Sequence, residues 1–125
     1  MGGHADATIL LVEDNDMVRS LTTKLLRSLE YTVVSADSPA TALACLDRGV
    51  QPDLLLTDVV MPGMSGLELH EAVTRRIPGL KTIFISGYTG YHAVGEELAD
   101  QGVRFVQKPF SKRDLDVAIR QLLHP

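Results

Sequence analysis

The sequence predicts one α/β domain, a parallel sheet with helices on both faces. Three observations carry the prediction. Five short apolar runs, at residues 8–12, 31–36, 54–58, 81–86 and 103–107, alternate with stretches of helical period. The connections between them are short. Two runs hold continuous apolar stretches, Ile9 to Val12 and Leu54 to Leu56, which is how a strand buried on both faces reads.

In chain order, Thr8-Ile9-Leu10-Leu11-Val12 is the first strand and ends in Glu13-Asp14. Asn15 or Asp16 caps the helix that follows, with Met17, Leu21, Leu25 and Leu29, four apart, as its expected inner face. Tyr31 to Ala36 is the second strand, β-branched in its middle. Ser38-Pro39 opens the second helix with Pro at its first position; Ala42, Leu43 and Leu46 are expected to face inward, and Gly49 closes it. Leu54-Leu55-Leu56-Thr57-Asp58 is the third strand, followed by Val59, Val60 and the turn signal Pro62-Gly63. A helix from about Ser65 to Arg76 carries Leu67, Leu69 and Val73, and Pro78-Gly79 breaks it. Lys81 to Ser86 is the fourth strand. Tyr91 to Asp100 is a weaker helix, because Gly95 in its interior costs roughly 1 kcal/mol relative to Ala. Val103 to Gln107 is the fifth strand, and Ser111 caps a last helix with Leu115, Ile119, Leu122 and Leu123 facing in.

The 125 residues suit a single domain over 1–125, with a core from about 8 to 123 and no need of disulfide staples. Hydrophobic content of 45% and charged content of 22% are those of an ordinary soluble chain, which excludes a disordered or fibrous class. A net charge of −4 argues against a nucleic-acid surface, which needs a basic stripe. The single Cys45 has no partner for an internal disulfide and, within an Ala/Leu run, reads as a small buried hydrophobe. No apolar run approaches a membrane span, and Met1-Gly2-Gly3-His4 has no signal-peptide core, so a cytoplasmic location without membrane contact is expected. The chain carries no repeat, low-complexity tract or linker.

The polar residues that end the strands fall on one edge. Strand one ends in Glu13-Asp14, strand three in Asp58, strand four in Ser86 and strand five in Lys108, followed by Pro109. In open α/β sheets ligands bind at that carboxyl edge. A lone Asp at a strand end is more often a turn residue, and Glu-Asp or Lys-Pro pairs are common on surfaces. Five such residues at the right ends of four strands are not. Three converging carboxylates repel each other unless a divalent cation joins them, and a few oxygen ligands suit Mg²⁺. Lys108 and Ser86 add a positive charge and a donor for phosphoryl oxygens. The composite is a site that accepts a phosphoryl group on a carboxylate.

Over about Thr8 to Leu123 the chain resembles the receiver domain of two-component response regulators. The resemblance rests on Leu11-Val12-Glu13-Asp14-Asn15, on Asp58 with Met61-Pro62-Gly63-Met64-Ser65-Gly66, on Ile85-Ser86-Gly87 and on Lys108-Pro109-Phe110. It implies a flavodoxin-like (βα)5 sheet in the order 2-1-3-4-5. It implies that Asp58 takes phosphate from a phosphohistidine on a sensor histidine kinase or histidine phosphotransfer domain. It also implies that Asp14, Asp58 and the backbone carbonyl of Val60 hold Mg²⁺, with Glu13 reaching it through water. Lys108 and Gly87 would lie at the phosphoryl group, Ser86 and Phe105 would form the switch, and the Lys108-Pro109 bond would be cis. A weak dimer through the face of the last two helices is a further expected contact. Such a domain contributes to its own phosphorylation and dephosphorylation but turns over no free substrate, so it is not an enzyme in the ordinary sense.

Two departures from the family pattern stand out. Phe105 occupies a position where many receivers carry a Tyr, and it lacks the hydroxyl. Val60 and Tyr88, which flank the phosphoryl position, are not the polar residues that favour fast hydrolysis, so both are expected to lengthen the phosphate's lifetime. His4, His70, His92 and His124 show no metal spacing and read as surface histidines. Met17, Met61 and Met64 read as packing, with Met17 also placed to meet a partner helix bundle. Gly87-Tyr88-Thr89-Gly90 lacks the spacing of a nucleotide loop and reads as a turn. A haloacid-dehalogenase-like phosphatase is the enzyme rival. It wants a second Asp two residues after the first, where this chain has Val60. A phosphorylation-independent interaction module is the other alternative, and intact Glu13, Asp14, Asp58, Ser86 and Lys108 argue against it. Without an output domain the chain reads as a free-standing regulator or as the carboxyl-terminal receiver of a hybrid kinase; Ser86-Gly87-Tyr88-Thr89 favours the second.

Overall fold

A computed structural model describes residues 7–87 and 102–124. The elements run β1 (Thr8–Val12), α1 (Asp16–Ser28), β2 (Thr32–Ala36), α2 (Pro39–Asp47), β3 (Leu54–Asp58), α3 (Gly66–Arg76), β4 (Lys81–Ser86), β5 (Val103–Gln107) and α4 (Lys112–Leu123). The helix expected over Tyr91 to Asp100, with Gly95, lies outside the described residues.

All strand pairs are parallel and the order is β2-β1-β3-β4-β5. The fold is thus the doubly wound, flavodoxin-like sheet that the sequence implies. Helices cover both faces, and the apolar runs are continuous for that reason. Ile9, Leu11, Leu54, Leu56, Ile83 and Ile85 point to one face and pack with Leu26 of α1 and Leu115 and Ile119 of α4. Leu10, Val12 and Leu55 point to the other, against Ala42 of α2 and Leu69 and Val73 of α3. A smaller group of Val59, Phe84 and Val103, with Leu67 and Phe105 against it, completes the core.

Local chemistry sets the helix starts. Asn15 and Ser38 each accept a backbone N–H of the first turn, and Pro39 follows Ser38 directly. Ser65 with Glu68 and Ser111 with Asp114 form reciprocal capping boxes. Gly49, at φ 101°, takes the left-handed conformation that ends α2. Cys45 is buried, as its apolar setting predicts.

The inner face of α1 differs from expectation. Thr22 and Leu26 are its buried residues, while Met17 is 72% and Leu21 59% exposed; Leu25 and Leu29 are partly buried against the core. The reason is geometric. Four residues advance a helix by more than one 3.6-residue turn, so a line of side chains four apart drifts round the cylinder. Met17 and Leu21 begin that line in solvent, and Leu25 and Leu29 reach the sheet. Small shifts occur elsewhere: Cys45 rather than Leu43 or Leu46 is fully buried on α2, and Ala118 joins the inner face of α4.

Candidate functional site

The carboxyl ends of β1, β3 and β5 converge. β3 runs one residue further than β1, so Asp58 pairs in register with Ile85 of β4 and stands at the rim. One carboxylate oxygen from each of Glu13, Asp14 and Asp58 can be chosen so that all three lie within 4.8 Å of one another. Glu13 is buried, Asp58 half-buried and Asp14 exposed. The Lys108 ammonium lies 2.8 Å from Asp58 Oδ2 and 3.6 Å from Glu13 Oε1. Two of the three carboxylates thus pair with one ammonium, and the oxygen-only donor set with its excess negative charge fits a hard divalent cation.

Burial pushes the Glu13 carboxyl up, helped by the Asp58 charge and a hydrogen bond with Asp14; the Asn15 N–H donated to Glu13 Oε2 at 3.1 Å and the Lys108 charge oppose it. Burial works against the Lys108 ammonium, yet Asp58 and then Glu13 together outweigh it and raise its pKa.

The other expected residues fall at or near this edge. Val60 is 54% exposed, and its backbone N–H donates to Asp58 Oδ1 at 3.3 Å. Ser86 is buried at the end of β4, and its carbonyl accepts the Lys108 N–H at 2.8 Å. Gly87 is exposed just beyond it. The Lys108–Pro109 peptide is cis. Phe105 is set back from the acidic group, its ring tilted against Phe84 at 5.0 Å between centroids. Tyr88, Thr89, Gly90, His4 and His92 lie outside the described residues.

Gly66 shows why a glycine stands at the start of α3. A Cβ there would lie 2.1 Å from the Asp58 carbonyl oxygen, and the Gly66 N–H donates to the Val59 carbonyl at 2.8 Å. The helix start is therefore pressed onto the backbone that carries Asp58.

Two residues are not as the sequence suggests, or were not singled out by it. His70 is buried, not a surface histidine: its Nδ1 lies 2.8 Å from Thr82 Oγ1, and its ring meets Phe84 edge-on at 5.5 Å. Burial lowers its pKa, with a smaller opposing effect from Glu71. Arg19 donates to the Glu13 carbonyl at 2.9 Å and to Asp16 at 2.6 Å. The Asp16/Arg19 spacing was the only visible signal, and an i,i+3 pair is ordinary on a helix surface. Met61 and Met64 pack as expected, with Met61 buried beside Thr57 and Met64 partly buried. Beside the edge, Val18, Leu21, Thr22, Leu25, Pro109 and Phe110, together with Lys108, line a largely apolar groove of about 450 Å³. No helix of the described residues is long and apolar enough to cross a membrane.

Fold and edge together define a doubly wound α/β domain with an acidic site and one lysine at the carboxyl ends of its strands. Residues 9–120 match the response regulator receiver domain family, and the chain belongs to it. The sensor kinase CckA of Brucella abortus (strain 2308) is 38% identical over 118 residues, which are 94% of this chain but 12% of the kinase. The response regulator receiver protein CpdR of the same organism is 37% identical over 116 residues, 92% of this chain and 95% of that protein. The solved receiver domain from the hybrid histidine kinase CckA superposes with a TM-score of 0.79 at 34% identity, covering 94% of this chain and 100% of that one.

Proposed function

We propose that this receiver domain accepts a phosphoryl group on Asp58 from a phosphohistidine of a sensor histidine kinase or histidine phosphotransfer domain, and changes conformation in response. The observation that carries this reading is the pairing of Asp58 with Lys108 at 2.8 Å, within the acidic group formed with Glu13 and Asp14. Phosphoryl transfer asks mainly for positioning and charge neutralisation. As the donor's P–N bond breaks, its electron pair stays on the imidazole and a P–O bond forms to an Asp58 oxygen. Lys108 meets the phosphoryl oxygens, and the Val60 N–H, already directed at Asp58, adds a donor on that side. Asp14, Asp58 and the Val60 carbonyl would hold Mg²⁺, with Glu13 through water, and the ion would supply further charge neutralisation.

The donor approaches over α1, where Met17 is exposed and Leu21 lines a groove shared with Lys108. The switch runs from Ser86, whose carbonyl is bound to Lys108, to Phe105 against Phe84. Its output face carries β5 and α4, where Arg104, Phe105, Arg113, Val117 and Gln121 line a groove of about 620 Å³ for a target or a weakly bound second copy. On this reading the domain turns over no free substrate and works in the cytoplasm.

Treatment with acetyl phosphate in Mg²⁺ tests the reading by intact mass. Wild type gains one phosphate and Asp58→Asn gains none. An undiminished adduct on Asp58→Asn overturns it.

A further inference from the structure

We infer that Arg19 is a positioning residue for the acidic site: it clasps the loop that carries Glu13 and Asp14, and so governs how tightly the site holds a divalent cation. The inference rests on the reading of that site as a Mg²⁺-assisted phosphoacceptor.

Arg19 lies one turn into α1, and its guanidinium reaches back to the loop that carries Glu13 and Asp14. Its guanidinium donates to the Glu13 carbonyl at 2.9 Å and to Asp16 Oδ1 at 2.6 Å. Its backbone N–H donates to the Asn15 carbonyl at 2.9 Å. The Glu13 bond is the unusual one, since it reaches six residues back, out of the helix and onto the last residue before Asp14. On the other side, the Glu13 N–H is held by the Ala36 carbonyl at 3.1 Å. Glu13 is therefore anchored to β2 through its backbone N–H and to α1 through its carbonyl.

That anchoring has work to oppose. Glu13, Asp14 and Asp58 bring three carboxylates together at the edge, and Asp14 is exposed on the loop between β1 and α1. A loop that relaxes outward must be drawn back when the cation binds, and binding weakens by that cost. The guanidinium side chain is only 22% exposed, and its planar fork serves two acceptors at once, which a lysine ammonium does less well. The Asp16 arm is different: Asp16 is 89% exposed, so that contact is screened and contributes little.

The test is a Mg²⁺ titration of the metal-free chain, followed by backbone amide NMR at Asp14 and Asp58, for wild type, Arg19→Met, Arg19→Lys and Asp16→Asn. Melting temperature in EDTA is measured alongside. Arg19→Met is expected to bind Mg²⁺ about tenfold more weakly, the scale of losing a group that orients a metal ligand. Arg19→Lys recovers part of the affinity, and Asp16→Asn stays within about twofold of wild type. Wild-type affinity in Arg19→Met overturns the inference. So does a loss in Asp16→Asn equal to that in Arg19→Met, which would mark a general effect on α1. If Arg19→Met does not fold, Arg19→Lys decides, and unchanged affinity there overturns the inference. A wild type that shows no Mg²⁺-dependent shift at either residue overturns the metal-site reading itself and this inference with it.

Discussion

The Lys108 ammonium stands 2.8 Å from a carboxylate oxygen of Asp58, fifty residues earlier in the chain. The contact joins the ends of β5 and β3 across β4, and the Lys108 N–H also holds the Ser86 carbonyl that ends β4. One residue thus ties three strand ends together at the acidic edge.

This arrangement makes opposite demands on Lys108. It repels a cation held by Glu13, Asp14 and Asp58, and it attracts the phosphoryl oxygens. Lys108→Met is therefore expected to bind Mg²⁺ several-fold more tightly while taking phosphate from acetyl phosphate at least tenfold more slowly, about 1.4 kcal/mol or more in barrier. Parallel Mg²⁺ titration and intact-mass kinetics check it. Changes in the same direction would contradict the roles assigned.

A Mg²⁺ ion bound at the folded edge would relieve carboxylate repulsion, so Mg²⁺ is expected to raise the melting temperature. At ten times its Kd the gain is about 1.4 kcal/mol, a shift of several degrees for a domain of this size. Asp14→Asn is expected to shrink that shift. A melting curve unmoved by millimolar Mg²⁺ would remove the metal site from the account.

His70 gives the fold a pH dependence of definite sign. Its folded pKa is depressed, with burial the main cause, so the folded state favours the neutral ring. Stability is full above the unfolded pKa of about 6.5 and falls as pH drops below it towards the folded pKa, because the unfolded chain takes the proton first. Wild type is expected to lose more melting temperature than His70→Asn between about pH 7.5 and about pH 5.5. Equal losses would show that His70 is not the group responsible.

Much of this was legible in the sequence because strand ends are legible. Glu13-Asp14, Asp58, Ser86 and Lys108 each close an apolar run, and parallel strands bring such ends to one edge. What escaped notice depends on contacts between elements. The partner of His70 is Thr82, on a different element twelve residues away, and no periodicity announces it. Arg19 follows Asp16 at the spacing of an ordinary helix pair, and its bond to a backbone carbonyl leaves no mark in sequence. Met17 and Leu21 fit a four-residue repeat, but the repeat does not say where round the helix the sheet begins.

The lifetime of the phosphorylated state is expected to follow the side chains at Val60 and Tyr88. Hydrolysis needs a water held in line with the phosphorus. Val60 is exposed beside Asp58 and offers that water no polar side chain, and Tyr88 follows Ser86 by two residues in the chain. Val60→Asn and Tyr88→Glu are each expected to speed phosphate loss about tenfold, roughly 1.4 kcal/mol of barrier. Decay followed by intact mass in Mg²⁺ measures it. Equal decay in all three proteins would mean that these side chains do not set the clock.

The most direct test of the central claim is chemical trapping of the phosphorylated residue. Borohydride reduces an aspartyl phosphate to homoserine and leaves ordinary carboxylates untouched. After treatment with acetyl phosphate, Mg²⁺ and then borohydride, peptide mapping is expected to show homoserine in place of Asp58, and none when Mg²⁺ is chelated. Homoserine at Asp14 or elsewhere, with Asp58 intact, would contradict the account.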